Sequence, residues 1–281
     1  MAQRTEAVAR SADFVDAEEG ERLPGTGGWQ RRTLPVIFLA VIVGIWELAS
    51  RFTDVPVYIL PAPSAIVERL VRSWPLLWDH SVVTLTEIGI GFVLGVVLGL
   101  ALAIPIAYSN IFRNTVYPLI VASQAVPKIA IAPLLVLWLG FDIMPKIVIT
   151  ALMVFFPVTV TAAEGFSSVD RNLLDLLRSV HASRTQIFFK IRFPHALPQI
   201  FSGLKIGITL AVVGAVVGEW VGADSGLGYL LVYANTLLDS TLLFASLILL
   251  IVIGVVLFVI VGMLERLLLP WHHDDSTFIT T

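Results

Sequence analysis

Two charged side chains fall where an apolar chain tolerates them least. Lys128 interrupts the stretch Thr115–Leu139, and Glu219 lies near the end of Gln199–Val221. A charge at membrane depth is costly and usually faces a cavity or a partner. The chemistry open to these groups is therefore electrostatic: lining a path for a solute, or holding each other across it. Lys128 is bracketed by Pro127 and Pro133, with Gln124 one turn earlier, and the missing N–H groups loosen the backbone there. A lysine that snorkels, or meets a carbonyl at a kink, accounts for the same residues. Glu219 follows Gly214 and Gly218 and precedes Gly222; glycines four apart allow close helix approach. A carboxylate in interfacial water is the plain alternative. We expect Lys128 and Glu219 to lie within salt-bridge reach, in one subunit or across a dimer, near an outer gate of Gln124, Pro127, Lys128, Pro133, Gly218 and Glu219. Glu47 and Glu87 are read as interfacial and receive no role.

Covalent and nucleotide chemistry finds no such foothold. The chain has no Cys, hence no disulfide, thiolate nucleophile or Cys-ligated metal. Its four lysines, Lys128, Lys146, Lys190 and Lys205, are preceded by Pro, Pro, Phe and Leu, so no phosphate-cradling GxxxxGK[ST] loop exists. The Gly25–Gly28 cluster follows no strand. No GxSxG elbow is present, and the five histidines form no ligand grouping on one helix face. The tail Trp271-His272-His273-Asp274-Asp275 is read as a solvated terminus before a metal site. No catalytic residue, metal or cofactor is therefore assigned to this chain, and energy for any work must come from a partner or an ion gradient.

The elements that carry these groups are membrane helices. The 281 residues are 57% hydrophobic and only 14% charged, with a mean hydropathy of +0.89. Soluble domains carry roughly a quarter charged residues. Ile88–Phe112 and Ser240–Leu264 are each free of charge and long enough to cross a bilayer core, which takes about 20 residues. The fold class is all-α integral membrane with six spans: 34–50, 82–109, 115–139, 144–165, 197–222 and 240–268. Residues 1–33, acidic and basic by turns and ending in Pro24-Gly25-Thr26-Gly27-Gly28, read as a disordered tail without a signal peptide, and 270–281 as a second tail. A net charge of −3 offers no reason to expect nucleic acid.

Lysine and arginine set the orientation. With the first residue inside, Arg4, Arg10, Arg22, Arg31, Arg32, Arg113, Arg266 and the basic residues between Arg171 and Lys205 lie inside, while Arg51, Arg69, Arg72 and Lys146 lie outside. Both termini are therefore expected in the cytosol. Between the first two spans, residues 61–80 read as a capped amphipathic helix on the outer interface, with Trp74 and Trp78 in an aromatic belt.

The polar loop 170–193 joins the fourth and fifth spans on the basic side. After Asp170 as N-cap, Leu173, Leu174, Leu176, Leu177 and Val180 recur at helical spacing, with Asn172, Asp175, Arg178 and Ser179 opposite. A turn at His181-Ala182-Ser183 leads to a second short run, Arg184–Phe193, which Pro194 is expected to stop. The pattern fits a helix lying on the membrane as well as one docking into a partner.

The segment Asp175-Leu176-Leu177-Arg178-Ser179-Val180-His181, with Ile191 and Pro194 after it, resembles the Glu-Ala-Ala loop of binding-protein-dependent ABC importer permeases. Leu176 and Leu177 replace that family's small pair, and His181 stands where Gly is usual. The likeness extends from about Trp46 to Trp271. ILPAPS at 59–64, PKIAIAPLLVLWLG at 127–140 and GAVVGEWVGADSGLGYL at 214–230 resemble the nitrate, sulfonate and taurine branch. SQAVPK at 123–128 and Gly218-Glu219-Trp220 are closer to its members for pyrimidine precursors, riboflavin and related heterocycles.

The resemblance implies a type I importer (MetI-like) permease fold in the inner membrane of a prokaryote. It also implies a homodimer, a coupling helix that two cytosolic ATPases grip, with ATP and Mg held by them, and an outer binding protein that delivers cargo. The docking residues it assigns are Asp170, Leu173, Leu174, Asp175, Leu177, Arg178, Ser179, His181, Ala182, Ser183 and Arg184. An apolar face flanked by Arg and Asp suits docking into a groove. A conduit with few fixed charges favours a small organic nutrient, a pyrimidine-like or vitamin-precursor heterocycle, over nitrate, sulfonate or taurine. A gradient-driven secondary transporter is the alternative of another class, but it would usually show inverted repeats with paired broken helices. A structural subunit that moves nothing is weakened by Lys128.

Overall fold

The computed structural model describes residues 28–53 and 56–271. Of the tails predicted at 1–33 and 270–281, residues 1–27 and 272–281, His272 and His273 included, lie outside the described residues, whereas residues 28–33, expected to be disordered, are the first turns of a helix. The chain divides into two units. The first holds α1 (Gly28–Phe52), of which Thr33–Phe52 is long and apolar enough to cross a membrane.

The second unit begins at Thr53. A short α2 (Pro63–Arg72) precedes the 35-residue α3 (Trp74–Tyr108), followed by α4 (Asn110–Ser123). A 3-10 turn, Lys128–Ile131, runs into α5 (Ala132–Leu139), and α6 (Ile143–Ser167) follows. The loop helices α7 (Arg171–Ser179) and α8 (Arg184–Ile187) come next, then a π turn at Phe188–Arg192 and α9 (Phe193–Gly222). α10 (Leu227–Thr236) and α11 (Ser240–Leu268) complete the unit. Among the described residues five helical runs are long and apolar enough to span a bilayer, and six if α4 and the Lys128–Leu139 segment together form one broken span.

α6 is the centre of this unit and packs along its length on both α3 and α9. The approach is close because both neighbours turn glycines toward it. A Cβ on Gly91 of α3 would lie 2.5 Å from the Thr150 side chain, and one on Gly214 of α9 would lie 2.8 Å from the Thr150 Cα. In lipid the tails are as apolar as leucine, so helices associate through such van der Waals contact. Near the α7 end the core is small and aromatic: Ala103 and Ile106, Ala162 and Phe166, Ala196 and Ile200. Toward the other end, Ala132 and Leu135 of α5 pack with Ile149 and Val217.

Three further boundaries differ from the sequence reading. First, the outer helix predicted at 61–80 ends at Arg72, and Trp74–His80 are the opening turns of α3. α3 is about 52 Å long at 1.5 Å per residue, beyond the ~30 Å core, so these turns extend the span. α2 starts on Pro63 at its first turn, without a side-chain cap from Ala62.

Second, the span predicted at 115–139 is not continuous: α4 and the Lys128–Leu139 segment meet at 85°. The amides of Gln124, Ala125 and Val126 bond three residues back, to Val121, Ala122 and Ser123, which tightens the end of the helix. Pro127 is extended and has no N–H to donate, and Pro133 opens α5. Third, Pro194 does not stop the run from Arg184, which continues for 39 residues to Gly222. The Phe193 N–H reaches the Phe188 carbonyl five residues back, and this widened turn carries the chain past the proline.

Asp239 fixes the start of α11. Its Oδ1 accepts from the Leu242 N–H at 3.1 Å and the Thr241 hydroxyl at 2.6 Å, and its Oδ2 from Arg69 of α2 at 2.7 Å. Burial pushes this carboxyl up, but the Thr241 and Leu242 bonds and the Arg69 charge outweigh it and hold the carboxyl below its ordinary value. Stability from a depressed carboxyl is present above the unfolded-state value and lost as pH falls through the folded one. We therefore expect Asp239→Asn to destabilise by about 1 kcal/mol above about pH 5 and by less in acid. Thermal unfolding of wild type and variant at both pH values checks this; an equal deficit at each would exclude the charged cap.

Candidate functional site

The loop between α6 and α9 is closed by local chemistry at every turn. Asp170 caps α7 as the sequence predicts, accepting from the Asn172 N–H at 2.8 Å. At the other end the Ala182 N–H reaches back to the Leu177 carbonyl and the His181 N–H to that of Arg178, both at 3.0 Å. This is a Schellman closure, and His181 occupies its left-handed position with φ 60°. That backbone requirement explains why glycine suits the position. Ser183 and Gln186 then form a reciprocal capping box at the head of α8.

The loop has an inside and an outside. Leu174 and Ile187 are buried with Val169, with Leu177, Ala182 and Ile191 packed against them. Of the residues expected to dock, Leu174 is buried inside the loop, and Leu177 and Ala182 are half-buried against it. The outward apolar row on α7 is Leu173, Leu176 and Val180, of which Leu176 is 62% exposed. Beside it, Arg178 donates to Asp175 at 3.0 Å in an exposed pair. Ser179, Ser183 and Arg184 are exposed too. Leu176 and Val180, outside the residues expected to dock, share this exposed face; their period was legible, but not which leucines the second helix would cover.

The expected outer gate is not assembled as one cluster. Gln124, Pro127 and Pro133 are exposed at the α4–α5 bend, and the Lys128 ammonium lies 4.8 Å from the Phe156 ring centre of α6, a cation-π contact. Glu219 is enclosed within this one chain at 1% exposure, because Gly218 seats α9 against Lys146 and the start of α10 closes over the carboxylate. The Thr84 hydroxyl donates to Glu219 at 2.6 Å, and the Gly228 N–H donates to its other oxygen. Lys128 and Glu219 form no ion pair within the chain, and the enclosed Glu219 lines no surface in this conformation.

A different lysine occupies the place expected of Lys128. Lys146 of α6, 5% exposed, puts its Nζ 3.2 Å from Glu87 of α3, which is fully buried. Glu87, Lys146 and Glu219 with Thr84 form a polar knot that ties α3, α6 and α9 to the 226–228 loop. Around it the Leu227 N–H donates to Thr84 and the Gly226 N–H to His80 Nδ1 at 2.9 Å. Gly226 takes φ 109°, and a Cβ there would strike the Glu219 carboxylate at 2.2 Å. Glu87, expected at the interface without a role, is buried inside the bundle, and Lys146, expected on the outer side, is buried beside it near the start of α6. The missed signal is spacing: Thr84, Glu87, Gly91 and Gly95 share one helical face, the face that packs against α6. Among the described residues no three His, Asp or Glu side chains gather closely enough to hold a metal.

Comparison with known proteins follows from this geometry. Residues 95–270 match the family described as binding-protein-dependent transport system inner membrane component. The chain is 40% identical over 242 residues to the formylaminopyrimidine transport permease protein ThiX of Halalkalibacterium halodurans, covering 86% of this chain and 96% of that one. It is 35% identical to the riboflavin transport system permease protein RibX of Chloroflexus aurantiacus, over 87% and 91% of the two chains. Among solved structures, an inward-facing MetNI methionine ABC transporter chain superposes with a TM-score of 0.54 at 20% identity, covering 68% of this chain and 94% of that one, a likeness of fold.

Proposed function

The chain belongs to the binding-protein-dependent transport system inner membrane components, permease subunits of ABC importers whose ATPase is a separate subunit, and on that premise we propose what drives it and what it carries. Two copies form the conduit along a two-fold axis. The α7–α8 loop faces the cytosol, as the lysine and arginine distribution requires, with both termini on that side. Each loop seats the row Leu173, Leu176 and Val180, flanked by Asp175, Arg178, Ser179 and Arg184, in a groove of one cytosolic ATPase that holds ATP and Mg. Closure of the ATPase pair draws the loops together and opens the conduit outward, where a binding protein delivers cargo; hydrolysis resets it. Gln124, Lys128 and the prolines of the α4–α5 bend border the path.

The single observation that carries this reading is the loop itself: a self-closed helix pair whose apolar row stands exposed among the described residues. The cargo is a small heterocycle of the formylaminopyrimidine or riboflavin kind. The chain is more similar to permeases named for these than to the sulfonate permease of Bacillus subtilis, at 33%, or the taurine permease of Escherichia coli, at 30%.

Uptake into vesicles holding the permease with its ATPase and binding protein tests the whole. Vanadate should abolish uptake and a protonophore should not; the reverse result would indicate a gradient-driven carrier. Competition by formylaminopyrimidine, riboflavin and taurine ranks the cargo. Leu176→Asp should cut co-purification of the ATPase about 30-fold, since a central interface residue contributes about 2 kcal/mol or more. Unchanged capture would remove α7 as the docking element.

A further inference from the structure

Arg192 is the last residue of the π turn, between the docking loop and α9. Its Nη1 lies 3.4 Å from two backbone carbonyls, Ala107 in the last turn of α3 and Phe166 in the last turn of α6. The final carbonyls of a helix have no partner within it, and the helix dipole leaves negative partial charge there. One guanidinium thus serves the ends of two spans from the root of a third. Its carbon sits 4.6 Å from the Tyr108 ring centre, so the planar cation also stacks on the end of α3. Phe188, at the other end of the same π turn, lies against Tyr108, Phe166 and Phe193 at ring-centre distances of 6.0, 5.7 and 6.0 Å.

Loop and spans meet differently elsewhere at this end. α7 is held to α8 by the small cluster around Leu174 and Ile187, within the loop itself. Two features of the Arg192 contact suit a moving joint better than a fixed weld. Both carbonyl distances are long for charge-assisted bonds, which favour about 2.7–2.9 Å. The Nε is buried without a hydrogen-bond partner among the described residues, an unmet donor that a shift of the turn can satisfy. π turns within helices concentrate at such functional positions.

We propose that Arg192 is a positioning residue for transport, the joint through which movement of the α7–α8 loop reaches the ends of α3 and α6. This rests on the docking of that loop to the ATPase. Without the cation, ATPase closure would move the loop and the root of α9 while α3 and α6 lag, so that ATP is consumed without transport.

The test uses the reconstituted assembly of permease, ATPase and binding protein, with Arg192→Gln and Arg192→Lys. Three quantities are read: ATPase captured per permease, ATP hydrolysed, and cargo moved per ATP. Arg192→Gln should capture ATPase as wild type does and still hydrolyse ATP, while cargo per ATP falls at least 10-fold. Arg192→Lys keeps the charge but loses the fork and the stacking, and should fall between. If Arg192→Gln does not accumulate, the lysine variant alone decides: a drop of 3-fold or more in cargo per ATP supports the joint. A ratio within 2-fold of wild type, or a loss of transport matched by an equal loss of assembled permease, would overturn it. Failure of the wild-type chain to capture any ATPase would instead sink the docking reading, which keeps the two outcomes distinct.

Discussion

Lys146→Met should be among the most damaging single changes in the bundle, and Glu87→Gln should repair much of the loss. Methionine is unbranched and flexible, so it fills most of the space of the lysine stem and leaves charge as the main difference. The Lys146 ammonium is 3.2 Å from the fully buried Glu87 carboxyl, which also lies against the Glu219 carboxyl. Removing one member of a buried pair costs about 3–5 kcal/mol, because the other charge stays behind in a poor dielectric. Glu219 is better provided, since Thr84 and Gly228 both donate to it. The double variant Lys146→Met/Glu87→Gln removes both unsupported charges and should recover more than half of the deficit. Thermal unfolding of the purified permease in one detergent gives the four corners of the cycle. A loss in the double variant equal to the sum of the two single losses would mean that the two side chains do not interact.

How far the sequence could be read depended on the range of the forces involved. The charge-free runs at 88–112 and 240–264 fell inside α3 and α11, because the cost of unsatisfied backbone in lipid is local and severe. Asp170 was legible as a cap because its partner, the Asn172 amide, is two residues away. The 85° bend was half legible: Pro127 and Pro133 announced a weak backbone, but the angle follows from how α5 packs on α6 through Ala132, Leu135 and Ile149. Which cation meets which carboxylate was not legible, since it depends on the relative height of helices far apart in sequence. Glu87 looked interfacial only while α3 was taken to begin near residue 82. Its true start at Trp74 places Glu87 about 20 Å along the helix. Gly214 and Gly218, expected to allow close helix approach, do so against α6 of the same chain, a partner their spacing alone does not name.

Glycine placement also separates two substitutions that composition alone cannot. Gly89 and Gly95 lie on the same helix, α3, six residues apart. A Cβ on Gly89 meets nothing within 4 Å, whereas one on Gly95 would stand 2.6 Å from the Ala151 carbonyl oxygen and 2.7 Å from Val154 Cβ of α6. Val154 is itself fully buried, so α6 cannot yield there without moving against α9, where Gly207 meets the same side chain at 3.2 Å. Overfilling a packed core usually costs about 1–3 kcal/mol, and more where backbone must shift. Gly95→Leu should therefore prevent a folded bundle from accumulating, and Gly95→Ala should lower its thermal stability by about 2 kcal/mol. Gly89→Leu should leave yield and unfolding temperature as they are. The comparison bears on mechanism as well as stability, because the polar knot at Lys146, the clasped Thr150 and the Arg192 contact at Phe166 all lie on α6. At mid-span this grip lets α6 slide past neither neighbour, so movement passed on at Arg192 tilts the Phe166 end of α6 about the gripped segment. Full stability and normal uptake in Gly95→Leu would show that α3 and α6 slide freely in the working transporter, and the mid-span pivot would be wrong.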